Sequence, residues 1–116
     1  LTQYIMAADR GNSSVAYLYK AYDPAVLRAL RAVITAGVSA GIPVGMCGEA
    51  AADPLLIPLL IGFGMEEFSV SPAAVLKTRR EISRWTVTEA KKIADHVLTL
   101  ETADEVERYI AGVGKR

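Results

Sequence analysis

The chain has 116 residues, of which 52% are hydrophobic and 22% are charged, and its 13 basic side chains balance 13 acidic ones. This length fits one domain with a modest core, and the composition excludes a disordered chain. The zero net charge gives no electrostatic footprint for nucleic acid or for an anionic membrane surface. A single cysteine, Cys47, excludes an internal disulfide, so nothing indicates a secreted disulfide scaffold.

Membrane insertion and secretion are also not indicated. The longest apolar stretch, residues 54–65, has 12 residues and is interrupted by two prolines and two glycines, whereas a spanning helix needs about 20 residues. The first residues lack the basic and apolar regions of a signal peptide. We therefore expect a cytoplasmic protein. The chain begins with Leu1 rather than Met, which we interpret as the start of a cut chain.

The first clear helix begins at Asp23-Pro24, an N-cap followed by proline at the first helical position. Before it, a Gly-Asn pair predicts a turn at residues 11–12, and residues 13–22 are ambiguous. Apolar residues recur at helical spacing after Pro24, and Gly41 ends the predicted helix. Residues 42–47 are apolar, bounded by glycines and too short for a helix, so they predict a buried strand.

The second half of the chain predicts four helices and one more strand. Asp or Ser before Pro is typical of a helix start, and Thr followed three residues later by Glu is a capping box. Residues 67–71 alternate between polar and apolar residues and predict the second strand. The four helices begin at Asp53-Pro54 (ending at Gly62 or Gly64), at Ser71-Pro72, at Thr86 (residues 87–100) and at Thr102 (residues 103–111).

The order of these elements predicts an α/β fold. Short strands that alternate with longer helices imply crossover connections and a parallel sheet. Parallel strands need cover on both faces and pairing at both edges, which two strands cannot supply. We therefore expect residues 1–116 to be part of a larger α/β assembly.

Cys47 is the strongest candidate for chemistry. Functional groups in α/β folds gather at the C-terminal ends of strands, and Cys47 ends the first predicted strand between Gly45 and Gly48. A thiol in such a place can act as a nucleophile or as a proton donor. The residues alone leave open the alternative that Cys47 is a buried cysteine acting as a small hydrophobe, and on spacing alone that alternative is favoured.

The other polar residues give weaker signals. The guanidinium of Arg10 suits a carboxylate or a phosphate, although a solvated arginine is the simpler interpretation. Glu49 lacks a second carboxylate at a defined spacing and His96 lacks a second histidine, so both are interpreted as structural. The basic cluster at residues 77–84 is interpreted as a solvated helix face. The sequence has no metal-ligand spacing, no Walker A sequence and no GxGxxG fingerprint.

Three motifs resemble the enzyme I family of the bacterial phosphotransferase system. Residues 1–12 (LTQY … ADRGN) resemble the stretch that follows the family's metal-binding Asn-Asp pair. Residues 45–53 (GMCGEAAAD) resemble its active cysteine loop, and residues 67–71 (EFSVS) resemble its last barrel strand. Pyruvate phosphate dikinase and phosphoenolpyruvate synthase share the cysteine loop, and the other two motifs favour enzyme I over them.

The resemblance implies that residues 1–116 are the C-terminal part of a (β/α)8 TIM barrel of the phosphoenolpyruvate/pyruvate type, contributing its last two strands and their helices. The family transfers the phosphoryl group of phosphoenolpyruvate to an enzyme histidine and on to a carrier protein in sugar uptake. By this resemblance, Cys47 protonates the pyruvate enolate and Arg10 holds the anionic groups of the substrate. The backbone around Gly45, Met46 and Gly48 would shape the floor of the substrate site.

The same resemblance places other parts of the enzyme outside this chain. The magnesium ligands, two further substrate arginines and the phosphohistidine domain would precede Leu1, so we expect the fragment alone to hold no metal and to be inactive. The implied partners are phosphoenolpyruvate or pyruvate, the phosphohistidine domain, the histidine-containing carrier protein and a second copy in a homodimer. The alternatives are a non-catalytic dimerisation or scaffold fragment and a thiol redox sensor at Cys47.

Overall fold

The computed structural model describes residues 1–114, in which helices pack on one side of two short parallel strands. Among these residues, two 3-10 turns (Ala16–Leu18 and Pro72–Ala74) join the longer elements. The strands are β1 (Gly45–Cys47) and β2 (Glu67–Ser69). The helices are α1 (Thr2–Met6), α2 (Pro24–Ala40), α3 (Glu49–Ala52), α4 (Ile57–Phe63), α5 (Val75–Ile82), α6 (Val87–Val97) and α7 (Ala103–Val113).

Helix α2 begins and ends where its capping residues predict. Asp23 Oδ1 accepts a hydrogen bond from the Ala25 N–H at 2.9 Å, which satisfies one of the free donors at the start of the helix. Gly41 ends the helix in the left-handed region, with φ +65°. That conformation is open to glycine because it has no Cβ to clash with the following carbonyl.

The two strands pair in parallel, which confirms the predicted α/β class and its parallel connection. Gly45 lies opposite Glu67, Met46 opposite Phe68, and Cys47 opposite Ser69. These contacts define a two-stranded sheet in the described part of the chain.

Both strands are shorter than predicted. In the observed register, residues 42–44 would have to pair with residues 64–66. Both segments begin in helix caps instead, because the Met65 N–H donates to the Leu60 carbonyl at 2.9 Å after α4 and the Ile42 N–H donates to the Gly37 carbonyl at 2.9 Å after α2. The predicted strand over residues 42–47 is therefore reduced to its last three residues. The one over residues 67–71 keeps only its first three, because its partner strand ends at Cys47 and the chain turns at Gly48 into α3.

Several helix boundaries also differ from the predictions. Helix α4 begins at Ile57 rather than Pro54 because Asp53 caps a tight turn first, its Oδ1 accepting from the Leu55 N–H at 2.8 Å. Helices α1 and α3 were not predicted, since each is about one turn long and leaves little periodicity to detect. Helix α6 ends at Val97, before the predicted residue 100, and α7 continues past residue 111 to Val113.

The core lies on one side of the sheet, among helices α2, α4, α6 and α7. Met46 and Phe68 point from the strands into this core. Helices α4 and α6 approach closely at Gly62, where an added Cβ would lie 2.4 Å from the Ala90 carbonyl oxygen. The largest fully buried core side chains are Leu27, Ile34, Leu56, Ile57, Leu59, Leu60, Val26, Val97 and Val106.

None of the helices within residues 1–114 combines the length and the apolar character needed to cross a membrane.

Candidate active site

The outer face of the strand pair carries the candidate chemistry. Alternate residues of a strand point to opposite faces, so the residues on either side of Met46 and Phe68 point away from the core. No described helix covers them, and all four are exposed: Gly45, Cys47, Glu67 and Ser69. We call these four residues the open sheet face.

Cys47 is the last residue of β1 and is exposed with a free thiol. The prediction that it ends a strand is therefore confirmed, and the alternative of a buried structural cysteine is wrong. The next residue, Gly48, has φ +81° and ψ −163°, a conformation nearly restricted to glycine. A Cβ added at Gly48 would meet no atom of the described residues within 4 Å. The backbone turn from β1 into α3 thus requires this glycine, and the space above it stays open beside the thiol.

Gly45 allows a close approach between the strands. A Cβ at this position would lie 3.3 Å from Cδ and 3.4 Å from Oε1 of Glu67. The Glu67 side chain therefore lies across Gly45, on the same face as the thiol. Sequence reasoning placed Glu67 and Ser69 in a strand but not in the candidate site, because the register between the two strands cannot be obtained from either strand alone.

Arg10 lies in an exposed turn between α1 and the first 3-10 turn. Asp9 shapes this turn, because its Oδ1 accepts from the Gly11 N–H at 2.9 Å and its carbonyl oxygen accepts from the Asn12 N–H at 3.1 Å. Within residues 1–114, Arg10 forms no ion pair or hydrogen bond through its side chain, and no described contact joins it to Cys47. A substrate site shared by Arg10 and Cys47 therefore stays a prediction.

The other ionisable candidates have structural surroundings. Glu49 is exposed in the first turn of α3. His96 lies on α6 with its ring 4.3 Å from that of Tyr109, away from the open sheet face. Among residues 1–114 no cluster of three His, Cys, Asp or Glu side chains could hold a metal ion.

Comparison with known families identifies the class of protein that carries this cysteine. Residues 1–87 match the family model described as PEP-utilising enzyme, PEP-binding domain. The match includes Arg10, Cys47 and both strands and covers 87 of the 116 residues. The chain belongs to this family.

Individual relatives extend the similarity over nearly the whole chain. The chain is 47% identical over 110 residues to the phosphoenolpyruvate-protein phosphotransferase of Geobacillus stearothermophilus, which covers 95% of the chain and 19% of that relative. It is 46% identical over 115 residues to the enzyme of the same name from Listeria monocytogenes (96% and 20%). The corresponding enzyme of Bacillus subtilis is 44% identical over 110 residues (95% and 19%). The chain thus spans about a fifth of the length of these relatives.

Proposed function

We propose that this chain is the C-terminal part of the phosphoenolpyruvate-binding barrel of a phosphoenolpyruvate-protein phosphotransferase, in which Cys47 protonates the enolate of pyruvate. The main support for this proposal is the position of the Cys47 thiol. In a chain that belongs to the PEP-utilising family, the only thiol is exposed at the carboxyl end of a parallel strand, on a face that no described helix covers.

The alternation of residues along the two strands supports the barrel proposal. In a (β/α)8 barrel, alternate strand residues point outward to the helices or inward to the lumen, and the active site lies at the carboxyl ends of the strands. Met46 and Phe68 would be the outward residues, since they pack on the helical core. The open sheet face would then line the lumen. In this proposal β1 and β2 are the last two strands of the barrel.

The proposed reaction uses the thiol as a general acid. Transfer of the phosphoryl group from phosphoenolpyruvate to an enzyme histidine breaks the P–O bond and leaves the enolate of pyruvate. The Cys47 S–H then donates its proton to the methylene carbon of the enolate, forming the C–H bond of the methyl group and a thiolate, which recovers a proton from water. Exposure of the thiol and the absence of a Cβ at Gly48 leave room for the substrate carbon.

Arg10 would bind the anionic groups of the substrate in this site. A guanidinium donates paired hydrogen bonds to a carboxylate or phosphate, and the Arg10 side chain is exposed with no partner among residues 1–114. The backbone at Gly45, Met46 and Gly48 would form the floor beside it. Magnesium in the whole enzyme would neutralise charge on the transferred phosphoryl group, and its ligands would come from outside this chain.

The whole enzyme would supply the other groups that this reaction needs. The acceptor histidine would lie on a phosphohistidine domain, and a histidine-containing carrier protein would receive the phosphoryl group, in the cytoplasm. We also propose that the whole enzyme is a homodimer, because apolar side chains are exposed near the amino end of the strand pair, with Val38 61% and Ile42 62% accessible.

The test of the catalytic role uses Cys47→Ala in the full-length enzyme. Pyruvate formation should be lost, while phosphorylation of the histidine survives longer because protonation follows it. Thr88→Ala is the control, since Thr88 is an exposed polar residue on α6 outside the open sheet face and its loss should keep pyruvate formation. Normal pyruvate release by the Cys47 variant would refute the proton-donor role.

The second candidate function is that of a non-catalytic dimerisation or scaffold fragment, which the unpaired strand edges favour. The 116-residue chain can be incubated with phosphoenolpyruvate, magnesium and the acceptor protein. We expect no pyruvate, because the metal ligands and the acceptor histidine are proposed to lie elsewhere. Turnover near that of the intact enzyme would show that the proposed active site is misplaced.

A further inference from the structure

A separate cavity of about 250 Å³ lies between the start of α6 and the last turns of α7. Its floor is apolar and is formed by Trp85, Ile93, Tyr109 and Val113. Ile93 is buried in the core and the other three side chains are half-buried. The cavity shares no residue with the open sheet face, so its occupant need not be the substrate of the proposed reaction.

Charged side chains form the rim of this cavity, and two of them already make hydrogen bonds within the protein. Arg84 donates to Glu81 Oε2 at 3.0 Å and to the Gly114 carbonyl at 2.7 Å. Glu89 accepts from the Thr86 N–H at 3.1 Å as part of the capping box of α6. These bonds hold both side chains at the rim in structural roles.

Lys92 is the rim charge that is left to act on a ligand. Within residues 1–114 its ammonium forms no ion pair or hydrogen bond. An ammonium at the edge of an apolar cavity favours a ligand with one anionic group and an apolar body. A single ammonium pairs with a single anionic group, so a monoanion fits this rim better than a dianion.

We propose that this cavity is a binding site for a small monocarboxylate with an aromatic or branched aliphatic body. The carboxylate pairs with the Lys92 ammonium, and the apolar body lies between Trp85 and Tyr109 above Ile93 and Val113. The volume of about 250 Å³ is below the ~300–1,000 Å³ typical of sites for drug-sized ligands. The ligand is therefore of the size of phenylacetate rather than of a nucleotide.

The sequence offers a direct probe, because Trp85 is the single tryptophan of the chain. Titration of the 116-residue chain with phenylacetate should give a saturable change in Trp85 emission, and the methyl NMR signals of Ile93 and Val113 should shift with the same dissociation constant. The neutral analogue phenylacetamide should bind about tenfold more weakly, since it loses a charge-assisted hydrogen bond.

Two lysine variants distinguish binding in this cavity from nonspecific attraction of an anion to the lysines of α6. Lys92→Met should weaken phenylacetate binding about tenfold, with little change for phenylacetamide. Lys91→Met is the matched control, because Lys91 is an exposed neighbour on α6 that does not line the cavity. Equal binding of acid and amide, equal effects of the two variants, NMR shifts confined to other methyl groups, or no saturation at millimolar phenylacetate would each overturn the proposal.

Discussion

Substitution of Gly62 by alanine is the sharpest test of the helix packing. Gly62 lies in α4 where that helix crosses α6, and an added Cβ would lie 2.4 Å from the Ala90 oxygen and 2.6 Å from the Ala94 Cβ. Relief of these contacts requires a shift of about 1 Å, because ordinary contacts of a Cβ begin near 3.4 Å. The obstructing atoms belong to a helix backbone and a methyl group on it, so no side-chain rotation can provide that shift.

The expected loss of stability follows from two opposing effects. Overpacking of a filled core costs about 1–3 kcal/mol, and the rigid obstruction at Gly62 favours the upper end. The better helix propensity of alanine returns up to about 1 kcal/mol. The net loss of about 2 kcal/mol should lower the melting temperature by roughly 8–16 °C in a domain of this size.

Thermal unfolding followed by circular dichroism measures this change. Gly112→Ala is the matched control, because Gly112 is exposed on α7 and an added Cβ there would meet no atom of residues 1–114 within 4 Å. The control should keep or slightly raise the melting temperature. If Gly62→Ala were as stable as Gly112→Ala, the close contact of α4 with α6 would be wrong.

Three further predictions concern single side chains. The buried Thr78 hydroxyl has no hydrogen-bond partner among residues 1–114, so Thr78→Val should raise the free energy of unfolding by about 1 kcal/mol, whereas Thr88→Val on an exposed site should change it little. Thr86→Ala and Thr102→Ala each remove a capping box and should each cost about 1 kcal/mol, with additive effects in a urea titration of the double variant. Backbone N–H groups hold the pKa of Glu105 below its usual 4.5. The stability that the Glu105 carboxylate contributes is therefore present above pH 4.5 and is lost as pH falls through the lowered pKa. In Glu105→Gln, the free energy of unfolding should fall less steeply with decreasing pH, and an unchanged acid dependence would contradict this.

Local sequence patterns predicted only part of the candidate site. The position of Cys47 at a strand end followed from its apolar approach and flanking glycines, and the structure agrees. The presence of Glu67 and Ser69 on the same face did not follow, because it depends on a pairing across 22 residues, Gly45 with Glu67 and Cys47 with Ser69. The position of Arg10 relative to the Cys47 thiol depends on contacts between residues still farther apart in the sequence, and it stays a proposal.

Features that depend on neighbouring residues followed from the sequence alone. The starts of α2, α6 and α7 were predicted to the residue, since a cap is a hydrogen bond between groups two or three residues apart. Only the tertiary structure fixed the register of β1 against β2, because it pairs Gly45 with Glu67 across 22 residues. It also decided which strand face stays open and brought Lys92 and Tyr109 to one cavity. These features arise from packing between segments that are distant in the sequence, and local sequence patterns do not predict that packing.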